Sequence, residues 1–330
     1  MLRGFGNRNY GWDFGTEVQH QLRTGMSLTG GYYRNWAGNF RVTDNQVVTP
    51  ADYNPYCVTA PVDARLPGGG GYQVCGLYDI NPNRFGQVSN VVTSASQFYE
   101  TQSHITCGDS GTVANRTAGR PGGRFCGTSN FFSVSLNTRF GNGIQLNGGL
   151  DTGRTVVDNC FVIDSPQQLL NCHTVIPFKA QTQVKALGSV PLPGNVVVSG
   201  TFQTVSGRPV EANWAAPNNV IASSLGRNLA ACGTRVVCTQ TAIVPLVAPY
   251  TMFLDRRTQL DLRLSKLLNV GPKARLRANL DVYNVLNGSA ILGVNNSYGS
   301  LWLQPAAQLN LEVDSILPGR LVQFSGELTF

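Results

Sequence analysis

The chain has 330 residues, of which 42% are apolar and only 13% are charged, and its net charge is +7. No apolar run is long enough for a transmembrane helix. The 25 basic residues are scattered along the chain rather than clustered, and this argues against a protein that tracks the phosphate backbone of a nucleic acid.

Nine segments of the chain alternate between apolar and polar residues with a period of two, which is typical of strands with one apolar face. In chain order, these segments lie near residues 12–19, 26–33, 132–137, 144–151, 178–186, 196–203, 260–265, 275–282 and 319–330. Each has roughly ten residues, the length that a tilted strand needs to cross a bilayer. The pattern predicts an all-β, antiparallel fold.

The connections between the segments are alternately short and long. The short turns lie near 23–25, 140–143, 190–194 and 268–273, and the long connections cover roughly 39–128, 158–175, 208–255 and 288–316. Short turns at one end and long loops at the other are the anatomy of an outer-membrane β-barrel. We therefore expect a transmembrane β-barrel in the bacterial outer membrane, with long extracellular loops and with lipid around it.

The polar faces of the segments leave two interpretations open. They carry Lys179, Lys185, Arg275, Arg277 and Asp281, which suit the wet lumen of a barrel. The solvated face of a soluble β-sandwich would look the same, because a sandwich buries only its apolar face. The asymmetry of the turns favours the barrel.

The number of segments is odd, whereas a single-chain bacterial barrel has an even number of strands. The first residues, MLRGFGNRNYGWDFG, also contain no apolar stretch of a secretory signal peptide. We therefore expect residues 1–330 to be the C-terminal part of one larger barrel domain, with about nine of its strands, and its signal peptide to lie outside this chain.

Eight cysteines fall into four pairs of near neighbours within the first three long connections. The pairs are Cys57 with Cys75, Cys107 with Cys126, Cys160 with Cys172 and Cys232 with Cys238. No pair has CxxC spacing or a histidine at zinc-ligand spacing, so no metal site is expected. Disulfides that close individual loops in an oxidising compartment are the favoured interpretation, and eight reduced thiols in a cytosolic protein are the alternative.

Three stretches of the last third resemble TonB-dependent outer-membrane receptors, particularly the Oar-like transporters. They are RRTQLDLRLSKLLNVGPKARLRANLDVYNVLNGSAIL at 256–292, YGSLWLQPAAQLNL at 298–311 and the terminal ILPGRLVQFSGELTF. The segments at 148–162 and 176–193 are also similar to Oar-like barrel strands. The resemblance covers most of 130–330 and is looser before that.

The resemblance implies a function in energised uptake. Such receptors have a 22-stranded barrel closed by an N-terminal plug, through which the TonB complex acts; no plug domain is visible in this chain. The last strand resembles the signal read by the barrel-assembly machinery, with matches at Gln323, Leu328 and Phe330. Ser325 stands where that signal has glycine. This resemblance gives the aromatic Phe330 at the end of the chain a role in assembly.

Aromatic residues in the long connections are the candidates for contact with an unknown solute, because rings with polar tips suit capture of a ligand. They are Tyr53, Tyr56, Tyr72, Tyr78, Trp214, Tyr298 and Trp302. Some of them would instead belong to the aromatic girdles at the membrane interface.

Enzymatic chemistry is not indicated. The stretch CGDSG around Ser110 resembles the nucleophile segment of chymotrypsin-like proteases, but His20 lies in a strand pattern and supplies no triad context. PGGGG at 67–71 lacks the Lys-Ser/Thr of a phosphate loop, and no cofactor is expected. Two functions remain: the barrel part of a TonB-dependent transporter, and a structural or adhesive surface barrel without transport.

Overall fold

A computed structural model describes residues 9–38, 40–95, 98, 127–271, 274–306 and 315–330. Antiparallel strands dominate the described residues. In chain order they are β1 (Tyr10–Arg23), β2 (Met26–Gly38), β3 (Arg41–Asn45), β4 (Tyr53–Thr59), β5 (Gln73–Ile80), β6 (Asn90–Ser94), β7 (Gly127–Arg139), β8 (Gln145–Asp158), β9 (His173–Ile176), β10 (Gln183–Leu192), β11 (Val196–Val205), β12 (Asn213–Pro217), β13 (Thr241–Pro245), β14 (Arg257–Val270), β15 (Ala274–Tyr283) and β16 (Leu321–Thr329). Two α-helices are α1 (Phe178–Gln181) and α2 (Asn218–Leu225).

One large sheet has the order β1-β2-β7-β8-β10-β11-β14-β15-β16, and β9 adds to β8 near the end of that strand. Each strand in this path pairs antiparallel with the next, and the strands stand in the path in the same order as in the chain. The strands that the path skips belong to the long connections. The four short turns therefore lie at one end of the sheet and the four long connections at the other. This confirms the antiparallel all-β prediction and the alternation of short and long connections.

The β1–β2 turn requires a glycine. Gly25 has φ of +78°, and a Cβ added there would lie 2.1 Å from the carbonyl oxygen of Arg139 on β7. A side chain at this position would meet both a strained backbone and a steric clash. The turn thus sets the close approach of the β2 and β7 ends.

The cross-strand register keeps residues of one parity on one face across all nine strands. One row pairs Leu28 with Leu136, and at the other edge Leu280 pairs with Leu264 and Phe324. All of these residues have even numbers, and the odd-numbered residues between them point to the opposite face because side chains alternate along a strand. The even face is mainly apolar and the odd face mainly polar.

The even face is uncovered. Trp12 is 60% exposed, Val18 is 73% exposed and Phe324 is 80% exposed, although each belongs to the apolar row of its strand. A soluble sandwich would bury such rows under a second sheet. No described strand or helix packs over them, so of the two interpretations of the alternation the structure supports the membrane-facing one.

One predicted strand begins later than expected. The alternation predicted a strand over 178–186, but Phe178–Gln181 forms the single helical turn α1 and strand β10 begins at Gln183. Pro177 precedes the turn with φ of −75°, which suits the start of a helix, and the Thr182 hydroxyl donates to the Phe178 carbonyl oxygen at its end. Lys179 therefore lies on this turn rather than on the polar face of a strand.

Cross-strand polar pairs connect the odd face. Arg263 on β14 donates to Asp281 on β15 at 2.5 Å, and the Asp281 residue is only 3% exposed. Asn279 accepts from the Ser265 hydroxyl at 2.7 Å and donates to Ser325 at 3.3 Å. These bonds join β14, β15 and β16 by side chains as well as by the backbone, and they give this face the character of a hydrated surface.

Both edges of the large sheet are open within the part of the chain that the structure describes. Strands β1 and β16 are the two ends of the strand order, they do not pair with each other, and all but one of their residues are exposed. Among the described helices, none is long and apolar enough to cross a membrane, a finding that does not concern strands.

Candidate functional site

The described parts of the long connections form a buried cluster at their end of the sheet, which we call the loop cap. It contains the hairpin β4–β5, the hairpin β12–β13, helix α2 and residues 294–303 of the loop between β15 and β16. Its buried core is formed by Tyr56, Val58, Ala60, Leu66, Leu77, Val210, Ala212, Ala216, Ile221, Leu229, Cys232, Val244, Leu246, Val247 and Trp302. The largest buried cluster of the described residues thus lies in the loops, because the sheet turns its own apolar face outward.

Arg227 ties the third long connection to the first. Its guanidinium donates to the Asp79 carboxylate at 2.5 Å, to the Asn54 side chain at 3.0 Å and to the Ile80 carbonyl oxygen at 2.9 Å. The same carboxylate accepts the backbone N–H of Ala230 at 2.9 Å. A planar guanidinium that satisfies several acceptors on one hairpin fixes that hairpin in place more firmly than a single bond would.

Arg65 ties the first long connection to the fourth. It donates to both oxygens of Asp63 and to the carbonyl oxygens of Trp302 and Gly299, each of the last two at 3.1 Å. Its guanidinium lies 5.4 Å from the Trp302 ring, and the Tyr298 hydroxyl donates to Asp63 at 3.1 Å. Hydrogen bonds from Arg65 hold the pKa of the Asp63 carboxyl well below its usual value, so this contact is an ion pair at neutral pH.

Three of the four expected disulfides are present in the described residues. Cys57–Cys75 joins strands β4 and β5 within the loop cap, Cys160–Cys172 closes the second long connection, and Cys232–Cys238 closes a short loop of the third. Cys107 and Cys126 lie outside the described residues, as do Ser110 and His104. The disulfides close individual loops, as the spacing predicted.

The structure places the seven aromatic residues predicted to contact a solute in different surroundings. Tyr56 and Trp302 are buried at 4% and 1% exposure and belong to the core of the loop cap. Burial raises the pKa of Tyr56 to about 12. The Trp302 indole N–H donates to the Glu211 carbonyl oxygen at 2.7 Å, so its polar tip is used inside the protein.

The other five aromatic residues are only half-buried. Tyr72 donates to the Leu246 carbonyl oxygen at 2.5 Å, and Trp214 packs on the cap core. The Tyr298 ring packs against Trp302 at 5.4 Å between ring centres, with the two planes tilted by 55°, and Tyr53 and Tyr78 lie on the paired strands β4 and β5. Contact of these residues with a solute stays a prediction. Because their rings are partly accessible, these five residues, unlike Tyr56 and Trp302, could reach a solute.

Two pockets open on the large sheet, and amide side chains of the odd face line both. A pocket of about 650 Å³ lies near the short turns and a second of about 480 Å³ lies farther along the sheet, and Asn137 and Asn147 line both. The second pocket also has the charged residues Lys185 and Asp151, together with apolar residues such as Leu187 and Phe202. The amides and charged groups can form hydrogen bonds with a polar solute or with another polar protein segment.

The histidines and the glycine-rich stretch PGGGG have structural surroundings in the described part of the chain. No group of three potential metal ligands occurs among the described residues. His173 forms a pair with Asp158 at 3.0 Å beside the Cys160–Cys172 disulfide, and His20 lies on the even face of β1. The glycines of PGGGG have positive φ, and Gly69, Gly70 and Gly71 donate to backbone carbonyls. The stretch forms a tight turn.

No protein-family model matches the chain, and no curated protein matches it. Among solved structures it is similar to the ferripyoverdine receptor of the outer membrane of Pseudomonas aeruginosa, with 9% identity and a TM-score of 0.44 over 96% of this chain and 27% of that one. It is also similar to the outer-membrane transporter YddB from Escherichia coli, with 9% identity and a TM-score of 0.40 over 96% of this chain and 32% of that one. For the ferric-catecholate import receptor Fiu from E. coli K12, the identity is 10% and the TM-score is 0.28, over 97% of this chain and 45% of that one. The chain thus spans 27% to 45% of the length of these three proteins.

Proposed function

We propose that this chain is the C-terminal barrel portion of a TonB-dependent transporter of the Oar-like kind, which takes up a large or scarce solute across a bacterial outer membrane. The observation that carries the barrel part of the proposal is the register of the large sheet. Across nine strands, one parity of residue builds an uncovered apolar face and the other builds a polar face. In a bilayer the apolar face contacts lipid and the polar face lines a wet interior.

The open edges support a larger barrel. An edge strand in hydrocarbon leaves a row of N–H and C=O groups without partners, and each group costs several kcal/mol there. Strands β1 and β16 have 14 and 9 residues, so their free edges need further strands as partners. We propose that residues outside the described sheet supply these strands and close the barrel.

The assignment to the TonB-dependent class rests on the sequence resemblance in the last third of the chain. It implies a plug outside this chain that contacts the TonB complex, and assembly through the barrel-assembly machinery, with Gln323, Leu328 and Phe330 in the recognised strand. The solute would first contact the loop cap and then pass along the amide-lined odd face. This function requires no cofactor and no bond-making chemistry.

A second candidate is a structural or adhesive surface barrel. The tips of the loop cap favour it: Val62 is 89% exposed, Val236 is 96% exposed and Val237 is 78% exposed. Apolar side chains on disulfide-closed or hydrogen-bonded loops suit contact with another surface. In this case the odd face would be closed to solute.

Three measurements on the bacterium that makes the protein separate these functions: solute depletion, attachment to surfaces and presence of the protein in the outer-membrane fraction. Solute depletion from the medium is compared between cells with and without the gene, each with and without a protonophore. A transporter predicts that a set of solutes is depleted only by energised cells that carry the gene. Unchanged depletion together with weaker attachment to surfaces would instead support adhesion, and absence of the protein from the outer-membrane fraction would refute both.

A further inference from the structure

Two arginines interrupt the apolar even face at one level of the sheet. Arg34 on β2 lies directly opposite Asn130 on β7, which lies opposite Arg154 on β8. Neighbouring strands are about 4.8 Å apart, so the two arginine Cα atoms are separated by roughly 10 Å with the asparagine between them. Two long cationic side chains at this spacing can reach one small anion together.

Neither arginine has a carboxylate partner in the part of the chain that the structure describes. Among the described residues, no carboxylate forms an ion pair with Arg34 or with Arg154, although both are half-buried. Arg34 pairs across β1 with Phe14, so its cross-strand neighbour on that side is also uncharged. Two cations without a counter-charge on an apolar face are unfavourable unless an anion from outside the protein neutralises them.

The neighbouring side chains orient the group. The Arg34 guanidinium lies 5.7 Å from the centre of the Trp36 ring, which supports it from one side. The Tyr32 hydroxyl donates to Asn130 Oδ1 at 2.8 Å, so the Nδ2 amide of Asn130 points away from this bond and donates to no other described residue. The row therefore presents two guanidinium groups and one amide, all of them hydrogen-bond donors.

The depth of the row matches the boundary of the apolar band. Just below it, Tyr32 pairs with Phe132, and their ring centres are 5.1 Å apart. Phe14 lies in the arginine row itself, opposite Arg34, and its ring centre is 6.4 Å from that of Tyr32. Just above it, Trp12 pairs with Trp36. From Met26 at the short turn to Arg34 the strand rises about 26 Å, or roughly 20 Å across a bilayer at the usual tilt. Aromatic girdles mark the level of lipid headgroups.

We propose that Arg34, Asn130 and Arg154 form a binding site for the phosphate group of a membrane lipid headgroup, in the leaflet on the loop side of the sheet. Guanidinium groups bind phosphate oxygens through paired, charge-assisted hydrogen bonds, and the amide adds a third donor. The inference rests on the proposed function to the extent that the even face contacts lipid. The proposed uptake of a solute does not itself require a bound lipid, so the lipid site is an additional property.

The test uses the protein purified from membranes of cells that produce it and inserted into vesicles of an uncharged galactolipid. One vesicle series contains phosphatidic acid, and the other contains oleic acid, which has negative charge without phosphate. Native mass spectrometry then counts the lipids retained per protein. We expect selective retention of phosphatidic acid, and about thirtyfold weaker retention in R34Q/R154Q, since each arginine near a membrane surface contributes about fivefold.

The matched control is R275Q/R277Q, which removes the same two charges from the odd face. Equal retention of oleic acid and phosphatidic acid by the unmodified protein would mean that the arginines select negative charge and not phosphate, and it would overturn the site. An equal loss in R275Q/R277Q, or displacement of the lipid by inorganic phosphate in the buffer, would overturn it as well. Protease protection of the inserted strands is measured in the same samples. Its absence refutes the membrane-spanning function, whereas protection without phosphatidic acid retention refutes only the lipid site.

Discussion

The most direct test of the membrane-facing sheet places one arginine on each face at neighbouring positions. Val134 and Ser135 are consecutive in β7, and the first belongs to the apolar face and the second to the polar face. Val134 pairs with Gly30, which lies four residues from Met26 and four from Arg34, so Val134 lies midway across the apolar band. Both substitutions add the same charge.

Val134→Arg should destabilise the membrane-embedded protein by about 2–4 kcal/mol, the cost of an arginine at the bilayer midplane. This corresponds to a roughly 30- to 900-fold shift in the unfolding equilibrium. Ser135→Arg should change it by less than about 0.5 kcal/mol, because its side chain enters the hydrated side, where Ser135 lines the pocket of about 480 Å³. The assay is reversible unfolding in phospholipid vesicles with guanidinium chloride, followed by tryptophan fluorescence.

The result that would refute the reasoning is a larger cost for Ser135→Arg than for Val134→Arg. That order would mean that the polar face is the covered one and that the apolar face meets water or another protein. Equal costs would show that neither face contacts hydrocarbon at this depth.

Three further predictions concern the loop cap. Trp302→Ala should destabilise the cap by about 3–5 kcal/mol through the cavity it leaves, whereas the substitution Leu301→Ala at its exposed neighbour should cost less than about 1 kcal/mol. Hydrogen exchange of the β4–β5 amides measures both effects. Equal acceleration of exchange in the two variants would contradict the buried role of Trp302. Gly70→Ala should lower the stability by about 2 kcal/mol or more, because φ is +78° and the new Cβ would lie 1.9 Å from the Pro61 carbonyl oxygen. Thermal melting followed by circular dichroism measures this loss. The control is Gly86→Ala, which is also at positive φ but has open space around the new Cβ. The Asp63 carboxyl has a folded-state pKa below its ordinary value of 3.8. The stability that its ion pair with Arg65 contributes is therefore fully present above pH 3.8 and is lost only as the pH falls through the lowered pKa. Trypsin cleavage after Arg65 should stay slow from pH 7 to pH 5, and Asp63→Asn should accelerate it at both pH values. Cleavage of the unmodified protein that becomes rapid already at pH 5 would contradict the ion pair.

Several features of the fold could be predicted because they depend on local periodicity. A period of two assigns each residue to one face regardless of its partners, so the nine segments appear in the structure as nine strands in the same order. Chain order also sets the topology here, because hairpin-connected antiparallel strands pair with their sequence neighbours. The exception at Phe178–Gln181 shows the limit, since a proline before an alternating stretch can begin a helical turn.

The contacts within the loop cap could not be predicted from local patterns. Arg65 and Trp302 are 237 residues apart, and Arg227 and Asp79 are 148 apart, so no local spacing links them. For the same reason the sequence did not separate the aromatic residues of the cap core, Tyr56 and Trp302, from those that keep an accessible ring. A ring in a long loop has the same local pattern whether it packs inward or outward.

The sequence by itself determined which side chains share a face, because alternation is a property of each strand alone. Only the tertiary structure decided what each face meets, since an apolar row is identical in sequence whether a second sheet or lipid covers it. Here the rows stay uncovered across the whole sheet, with Val18 and Phe324 among the most exposed members. The buried core forms instead among loops that are distant in sequence, where long-range contacts such as Arg65–Trp302 and Arg227–Asp79 join them. The disulfides close individual loops and do not join one loop to another.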